Sequence, residues 1–360
     1  MESVMPAHFL PSWLYTSPDI AERERRLYAE CFWHPLTASS AISEGQVQAF
    51  VLLEVPLLLT RHQGRLHAWI NRCPHRGVAL EQPADQPRSC RRLVCPYHGW
   101  TYDLGGQLLA AAREGDFIVS FDRNQWPLAS LLCREVGGLI WVALGHEPVA
   151  LEDQLDLVLQ HSPQQFNQPR SLLLRESHRL QCNWKIAHDN TLDDYHVAIA
   201  HPTTLHREQG PVRLYRHALS DYGTLLVTPY GESGEFYTYG LAPWTHLLLW
   251  PDGRLVLIQF LPEDHNHCSM DVWLLADQEQ QSQAPVWMEE IQTFLREDRR
   301  LVEAAQVGYR TPFVPGPPHR LEQRIVQQQQ LYLRLMGLES ERLELSASVP
   351  HGEATAPWRH

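Results

Sequence analysis

The chain has 360 residues, a formal net charge of −12 and a hydrophobic fraction of 44%, enough for two domains whose cores need no disulfide staples. The acidic balance, with no Lys/Arg block, argues against a nucleic-acid partner, and no stretch approaches the roughly 20 apolar residues of a membrane helix. Seven scattered cysteines and the absence of a basic-then-apolar leader in MESVMPAHFLPSW predict no signal peptide and a place in the reducing cytoplasm.

In chain order, residues 18–34 predict a short amphipathic helix. From Val47 to Leu144, β-rich runs (QAFVLLEV, RLHAWI, GGLIWVAL) alternate with turn signals such as LGGQ at 104–107, an all-β module of small-domain size. Beyond about residue 150 helices and strands mix. Residues 183–201 predict a helix. Residues 213–275 predict an antiparallel meander in which THLLLW and RLVLIQFL flank a Pro-Asp-Gly turn at 251–253. Residues 285–307 and 318–337 predict amphipathic helices, with the Gln run at 327–330 as a solvated face. The polar tail after about Leu345 is expected to be mobile.

The sequence holds 20 histidines, and histidine is the commonest metal ligand. One cluster stands out: CPHRG at 73–77 and CPYHGW at 95–100, each supplying one Cys and one His (Cys73, His75, Cys95, His98). In a Rieske [2Fe–2S] centre one iron takes two thiolates and the other two imidazoles, which raises the reduction potential to roughly −150 to +300 mV. Zinc fingers pair Cys with Cys and His with His, so a structural zinc site fits this order poorly. A second set lies in NWKIAHDNTLDDYHVAIAH (183–201). His196 and His201 are five residues apart, which on a regular helix turns them about 140° from each other. A helix end or bulge is needed to bring them together. Two histidines and one carboxylate on one face of iron leave positions open for dioxygen and substrate.

The two Cys/His segments resemble the Rieske domain of bacterial ring-hydroxylating and related oxygenases. The gap between His75 and Cys95 is longer than is usual there, and EQPADQPRSC (81–90) is taken as a loop insertion. Cys90 lies in that insertion and is not expected to be a ligand. Trp100 is expected to pack over the cluster loop and Arg76 to buttress it. The 190s segment resembles the mononuclear iron motif of the same family. That resemblance implies His196 and His201 as ligands. It also implies Asp193 as the carboxylate that links an iron histidine to a Rieske histidine of a neighbouring subunit. Asp194 is a surface or outer group by this reading, Asn190 is an outer group facing the iron, and His188 has no assigned role. The third ligand comes in the family from a late helix, which FLREDRRLVEAAQVGYR (294–310) resembles. Asp298 is the choice there and Glu297, about 100° round the helix, is the alternative.

The resemblance covers roughly residues 10–340 and implies an α+β protein. A Rieske all-β domain (46–148) is set into a helix-grip (START-like) catalytic domain (149–345) with an antiparallel sheet. Residues 1–45 form an N-terminal helical segment packing on that domain, and 346–360 a mobile tail. It further implies a [2Fe–2S] Rieske cluster and a mononuclear Fe(II). The partners implied are O2, a small organic substrate and a separate NAD(P)H-dependent reductase, with or without a ferredoxin. A homo-oligomer, most often a trimer, is expected. The compact length is closest in style to the choline- and carnitine-type monooxygenases, with aromatic-ring dioxygenation as the alternative. An electron carrier of the Rieske ferredoxin type would not need the second site. Tyr230, Phe236, Tyr237, Tyr239, Trp244 and Trp250 form a candidate aromatic box for a quaternary ammonium by cation–π attraction, against the commoner role of strand aromatics as core.

Overall fold

The computed structural model describes residues 8–205, 210–232 and 234–338; the predicted tail at 346–360 lies outside them. The first long helix, Pro18–Cys31, opens on proline with the Ser17 hydroxyl accepting from the Ile20 amide at 3.4 Å. It stops three residues short of the predicted end. His34 precedes Pro35, and a residue before proline is pushed out of helical backbone. The chain instead enters β1 (Trp33–Ala38), buried throughout, while Tyr28 and Phe32 pack on the catalytic core.

The β1 strand forms one edge of a seven-stranded sheet. The others are β2 (Gln46–Leu52), β3 (Val55–His62), β4 (Arg65–Ile70), β5 (Arg88–Ser89), β9 (Ser130–Val136) and β10 (Leu139–Ala143), in the order β1-β10-β9-β4-β3-β2-β5. A three-stranded sheet, β6 (Leu93–Val94), β7 (Thr101–Tyr102) and β8 (Leu108–Ala110), carries the second Cys/His loop. The predicted insertion is partly ordered by pairing: Arg88 and Ser89 add to the free edge of β2, and the Arg88 guanidinium pairs with Glu81.

The catalytic domain is a second seven-stranded antiparallel sheet. Its strands are β11 (Ser171–Leu180), β12 (Arg216–Leu219), β13 (Gly223–Tyr230), β14 (Gly234–Leu241), β15 (Thr245–Leu249), β16 (Leu255–Pro262) and β17 (Cys268–Ala276), in the order β11-β17-β16-β15-β14-β13-β12. The meander from β12 to β17 matches the predicted one. The addition is β11, whose partner β17 lies about a hundred residues along the chain, a pairing that no local pattern announces. Both faces of the sheet are buried. Val256, Ile258, Val272 and Leu274 face the long helix Ala284–Tyr309 through Trp287, Met288, Ile291 and Leu295. The alternate residues Leu255, Leu257, Trp273 and Leu275 face Trp141 and the short helices before β11. Period-two alternation therefore sends neighbouring residues into different cores.

Arg170 joins the two domains. It is 4% exposed, and its guanidinium donates to the carbonyls of Phe166 (2.6 Å), Gly137 (3.2 Å) and Gly253 (2.7 Å). Gly137 is the β9–β10 turn of the Rieske domain and Gly253 the β15–β16 turn of the catalytic domain. The Gln run differs from expectation. The helix Gln323–Leu335 buries Gln328 and Gln329. Gln329 accepts from the Leu10 amide at 3.1 Å and donates to Asp189 at 3.0 Å, so amide side chains there close a buried polar network. No helix among the described residues is long and apolar enough to cross a membrane.

Candidate metal sites and substrate cavity

The two Cys/His loops are built alike. In the first, the Cys73 amide donates to the Val78 carbonyl and the Gly77 amide to the Cys73 carbonyl, each at 2.9 Å. In the second, the Cys95 amide donates to Trp100 at 2.8 Å and the Gly99 amide to Cys95 at 3.0 Å. Closing each turn needs left-handed backbone at Gly77 (φ 79°) and Gly99 (φ 68°), which glycine adopts without a Cβ penalty. Cys73 and Cys95 are buried at 1% and 2% exposure. The His75 and His98 rings meet edge to face, centroids 4.4 Å apart. Their Nδ1 atoms are buried and have no hydrogen-bond partner. Two orphaned imidazole nitrogens beside two buried thiols are a donor set waiting for a cluster, since buried polar atoms are otherwise paired. Trp100 stacks on His75 at 4.9 Å with rings nearly parallel. The Tyr102 hydroxyl reaches Cys73 Sγ at 3.5 Å. Arg76 does not buttress the loop. It is exposed, and its influence is electrostatic: burial first, then His98, then Arg76 lower the proton affinity of His75.

The 183–201 segment is two helices rather than one. Trp184–Leu192 ends at Asp193, whose backbone is extended, and a short helix resumes at Val197–Ala200. The break is what the five-residue spacing requires. His196 caps one end of the short helix and His201 the other, and their Nε2 atoms come within 3.2 Å. Asp298, on the long helix, places Oδ1 at 3.3 Å from His196 Nε2 and 2.9 Å from His201 Nε2. Cis ligands each about 2.1 Å from one metal lie about 3 Å apart, so this triangle is the size of one octahedral face. Among the described residues it is the one set of three or more His, Cys, Asp or Glu side chains that converge for a single ion.

Both histidines present Nε2 to the common point and Nδ1 to a second carboxylate. His201 Nδ1 meets Glu297 Oε2 at 2.7 Å, which also accepts from Thr204 Oγ1 at 2.8 Å. His196 Nδ1 lies 3.3 Å from Asp193 Oδ2. Such carboxylates fix the tautomer and ring angle of metal-bound histidines. Burial pulls the His196 pKa down, but Asp193 and Asp298 outweigh it and lift the value to about 10. His201 is raised in the same way, burial again being overcome by Asp298 and Glu297.

Asp193 meets His196 across the break between the two helices. It does not sit one helical turn before it. It lies in the break, its Oδ1 accepting from the Tyr195 and His196 amides at 2.7 and 3.3 Å. Asp194 is not a surface group. It is 3% exposed, accepts from Arg324 Nη1 at 3.0 Å and lies 2.8 Å from His217 Nε2. Asn190 lines a cavity of about 220 Å³ together with Asp189, Asp193 and Glu322. His188 is buried against His246, with Nδ1 2.8 Å from His246 Nε2.

A cavity of about 420 Å³ has none of the three converging residues in its lining, but connects to them through Thr204, which donates to Glu297, and through Phe294, one turn before Asp298. Of the predicted aromatic box, Tyr230, Phe236 and Trp250 line it. Tyr237 and Tyr239 belong to the core on the other sheet face, sent there by strand alternation. Trp244 is sealed between Trp184 and His34. Trp287 and Phe294 complete the wall, with Glu290 and Arg254 as its charged members. The sequence carried a signal for the helix residues: positions 287, 290, 291 and 294 recur at helical spacing on the face that leads to Asp298.

Two dissimilar ligand sets, one built for a cluster and one for a single ion with open positions, define an iron protein that moves electrons to a site of oxygen chemistry. Comparison with known proteins agrees. Residues 32–121 match the Rieske [2Fe-2S] domain and residues 171–338 the ring hydroxylating alpha subunit (catalytic domain). The chain belongs to the Rieske non-heme iron oxygenases, as a catalytic alpha subunit, a family that carries a [2Fe–2S] cluster and a mononuclear iron. It is 27% identical over 324 residues to the carnitine monooxygenase oxygenase subunit of Escherichia coli strain K12, covering 84% of each chain. It is 32% identical over 202 residues to the glycine betaine monooxygenase oxygenase subunit of Chromohalobacter salexigens, covering 55% of this chain and 44% of that one. The quaternary ammonium Rieske monooxygenase CntA in complex with L-carnitine has the same fold, with a TM-score of 0.77 at 23% identity over 91% of this chain and 95% of that one.

Proposed function

We propose that this chain is the oxygenase component of a monooxygenase that hydroxylates a small quaternary ammonium compound, using O2 and electrons from a separate NAD(P)H-dependent reductase. In this reading Cys73, His75, Cys95 and His98 hold the cluster, and His196, His201 and Asp298 hold the iron. When bound, the cluster supplies single electrons and the iron supplies open positions for dioxygen. The protein does the rest. Glu297 and Asp193 hold the two imidazoles at fixed angles with Nε2 facing inward. Phe236, Trp250, Trp287 and Phe294 exclude water from the substrate cavity, and the faces of Phe236 and Phe294 attract an ammonium head. The single observation that carries the substrate class is this cavity: aromatic on three elements, with Thr204 of its lining bonded to Glu297 and Glu290 at its rim.

The working unit in this reading is a homo-oligomeric ring, most simply a trimer, in which the cluster of one subunit serves the iron of the next. Asp193 is the link, placed against His196 and beside an open cavity. A solved structure of a quaternary ammonium Rieske monooxygenase with this fold is described as showing inter-subunit electron transfer. The deciding experiment is substrate-dependent oxygen uptake by the reconstituted enzyme with a surrogate reductase. Trimethylammonium compounds should give uptake with a hydroxylated or cleaved product. Turnover of neutral arenes to dihydrodiols, with no response to trimethylammonium compounds, would replace this reading with aromatic-ring dioxygenation.

A further inference from the structure

The carboxylates behind the two imidazoles open on different parts of the molecule. Asp193, behind His196, lines the cavity of about 220 Å³ and takes no part in the wall of the larger one. Glu297, behind His201, is bonded to a residue of the larger cavity's wall. Its Oε2 atom meets His201 Nδ1 at 2.7 Å and accepts from the Thr204 hydroxyl at 2.8 Å. Thr204 follows His201 in a tight turn, its amide donating to the His201 carbonyl at 3.3 Å. This one turn supplies an iron-site histidine and, in Thr203, Thr204 and Leu205, one wall of the cavity. The long helix supplies the facing wall through Trp287, Glu290 and Phe294, and Glu297 continues that face one turn further on. The Thr204–Glu297 bond is a clasp between the two walls, and the same carboxylate oxygen holds His201.

A molecule that fills the cavity packs on both walls and restrains the turn. Pro202 and Thr203 are exposed, which leaves the turn free to respond to what lies against its inner side. The Thr204 hydroxyl then fixes Oε2 of Glu297, and that oxygen fixes the angle of the imidazole, as carboxylates do for metal-bound histidines. We infer that Thr204 is a positioning residue that couples occupation of the substrate cavity to the iron site through Glu297 and His201, so that a bound substrate tightens the hold on the metal. Asp193 and His196 serve electron arrival from the other side, so the two histidines answer to separate events. Stoichiometry gives the coupling its use. With a substrate in place, one dioxygen, two electrons and two protons convert R–H to R–OH and water. Without one, the same dioxygen, electrons and protons yield hydrogen peroxide. The coupling is reciprocal: the factor by which substrate tightens the metal is the factor by which the metal tightens the substrate. The inference rests on the cavity reading given above and adds how the iron site registers that the cavity is filled.

The test is that factor, measured on the full-length protein with the cluster loaded and Co(II) in place of the mononuclear Fe(II). Calorimetry gives the affinity for L-carnitine, glycine betaine and choline with and without Co(II), and for Co(II) with and without the tightest of the three. The wild type should show the same factor in both directions, about 5- to 150-fold. Its Co(II) signal in electron paramagnetic resonance should change when the probe binds. Thr204→Val keeps the branched shape and removes the hydroxyl; it should bind the probe with a factor near one and an unmoved Co(II) signal. Should that variant fail to fold, Thr204→Ala removes the same hydroxyl and carries the same expectation. Thr204→Ser keeps the hydroxyl and should keep most of the factor. Asp193→Asn should keep the wild-type factor, because Asp193 does not reach this cavity. A wild-type factor of one or less, or an undiminished factor without the Thr204 hydroxyl, overturns the inference and leaves the cavity as the binding site. Loss of the factor in Thr204→Ser assigns it to the methyl group and overturns the hydrogen-bonded route. Equal loss in Thr204→Val and Asp193→Asn overturns it as well, since general loosening of the site then explains both. Binding of none of the three probes overturns the inference together with the ammonium reading of the cavity.

Discussion

At the scale of single residues, the adjacent acids Glu297 and Asp298 do different work although both touch His201. Asp298 meets the Nε2 face, where His196 also converges; Glu297 meets the Nδ1 face and is steadied by Thr204. Their roles separate in a simple pair of variants. On the proposed ligand set, Asp298→Ala removes one of three donors and is expected to abolish mononuclear iron, whereas Glu297→Gln should retain it with affinity about 10- to 100-fold weaker. Metal content after dialysis against a graded chelator measures both. The Rieske signal in electron paramagnetic resonance should persist in each variant, because its donors lie in another core. Iron retained by Asp298→Ala and lost by Glu297→Gln would reverse the assignment. Asp193→Asn should keep both metal centres and slow electron arrival at the iron, read by stopped-flow reoxidation of the cluster in the presence of substrate and O2.

At the scale of elements, the helix Trp184–Leu192 sets the reach of the iron site because it is packed close to the sheet. A Cβ on Gly240 of β14 would fall 2.3 Å from the Leu192 side chain, so only glycine lets the helix end approach there. His188 ties the same helix to β15 through His246. Burial drives His188 from 6.5 down to about 3, and burial, then His188, push His246 well below its ordinary value. Folded values below the unfolded ones mean that the unfolded chain takes up protons first. Stability from this pair is therefore complete above about pH 6.5 and lost progressively as pH falls towards about 3. The melting temperature of the apoprotein is expected to drop between about pH 7 and about pH 5, and the drop should be shallower in the His188→Leu/His246→Leu double variant. A single His246→Leu change leaves the His188 Nδ1 buried without a partner and should cost about 1–3 kcal/mol by chemical denaturation. Equal pH slopes in the wild type and the double variant would remove the pair from the acid response.

At the scale of the whole molecule, two domains that share an apolar core between β1, β10 and the catalytic sheet must hold one relative position for a cluster and an iron to meet in an assembly. Arg170 is the clearest physical tie. It neutralises no acid, and burial alone lowers its pKa to about 10. What it supplies is hydrogen bonds to carbonyls from both domains and from the segment between them. Arg170→Met should leave several buried carbonyls without donors and cost about 2–4 kcal/mol, from losses of about 1–3 kcal/mol each that overlap. Differential scanning calorimetry is expected to show a lower or split transition, and an unshifted single transition would show that the tie is dispensable. The ring proposed for the working unit has its own test at this scale. Cys73→Ala and Asp298→Ala subunits are each expected to be inactive alone, and to recover part of the activity when refolded together, because an intact cluster then faces an intact iron across a repeated interface. No recovery in mixed oligomers verified by mass would place electron transfer within one chain.

The sequence alone determined what depends on residue identity at short range. The paired Cys/His loops, with their glycines, specify turns that close on themselves, and the five-residue histidine spacing demanded a helix break that the chain supplies between Leu192 and Val197. The meander is local too, being made of hairpins between successive strands. The tertiary structure decided everything that joins distant segments. It placed β11 beside β17, buried Asp194 against Arg324, and brought Asp298 to within 3.3 Å of a histidine about a hundred residues earlier. It also divided the aromatic residues of one strand between two cores, so that Phe236 lines the cavity and Tyr237 does not. The physical reason is that spacing fixes which side of its own element a residue occupies, while the partner across that face is set by packing of the whole chain.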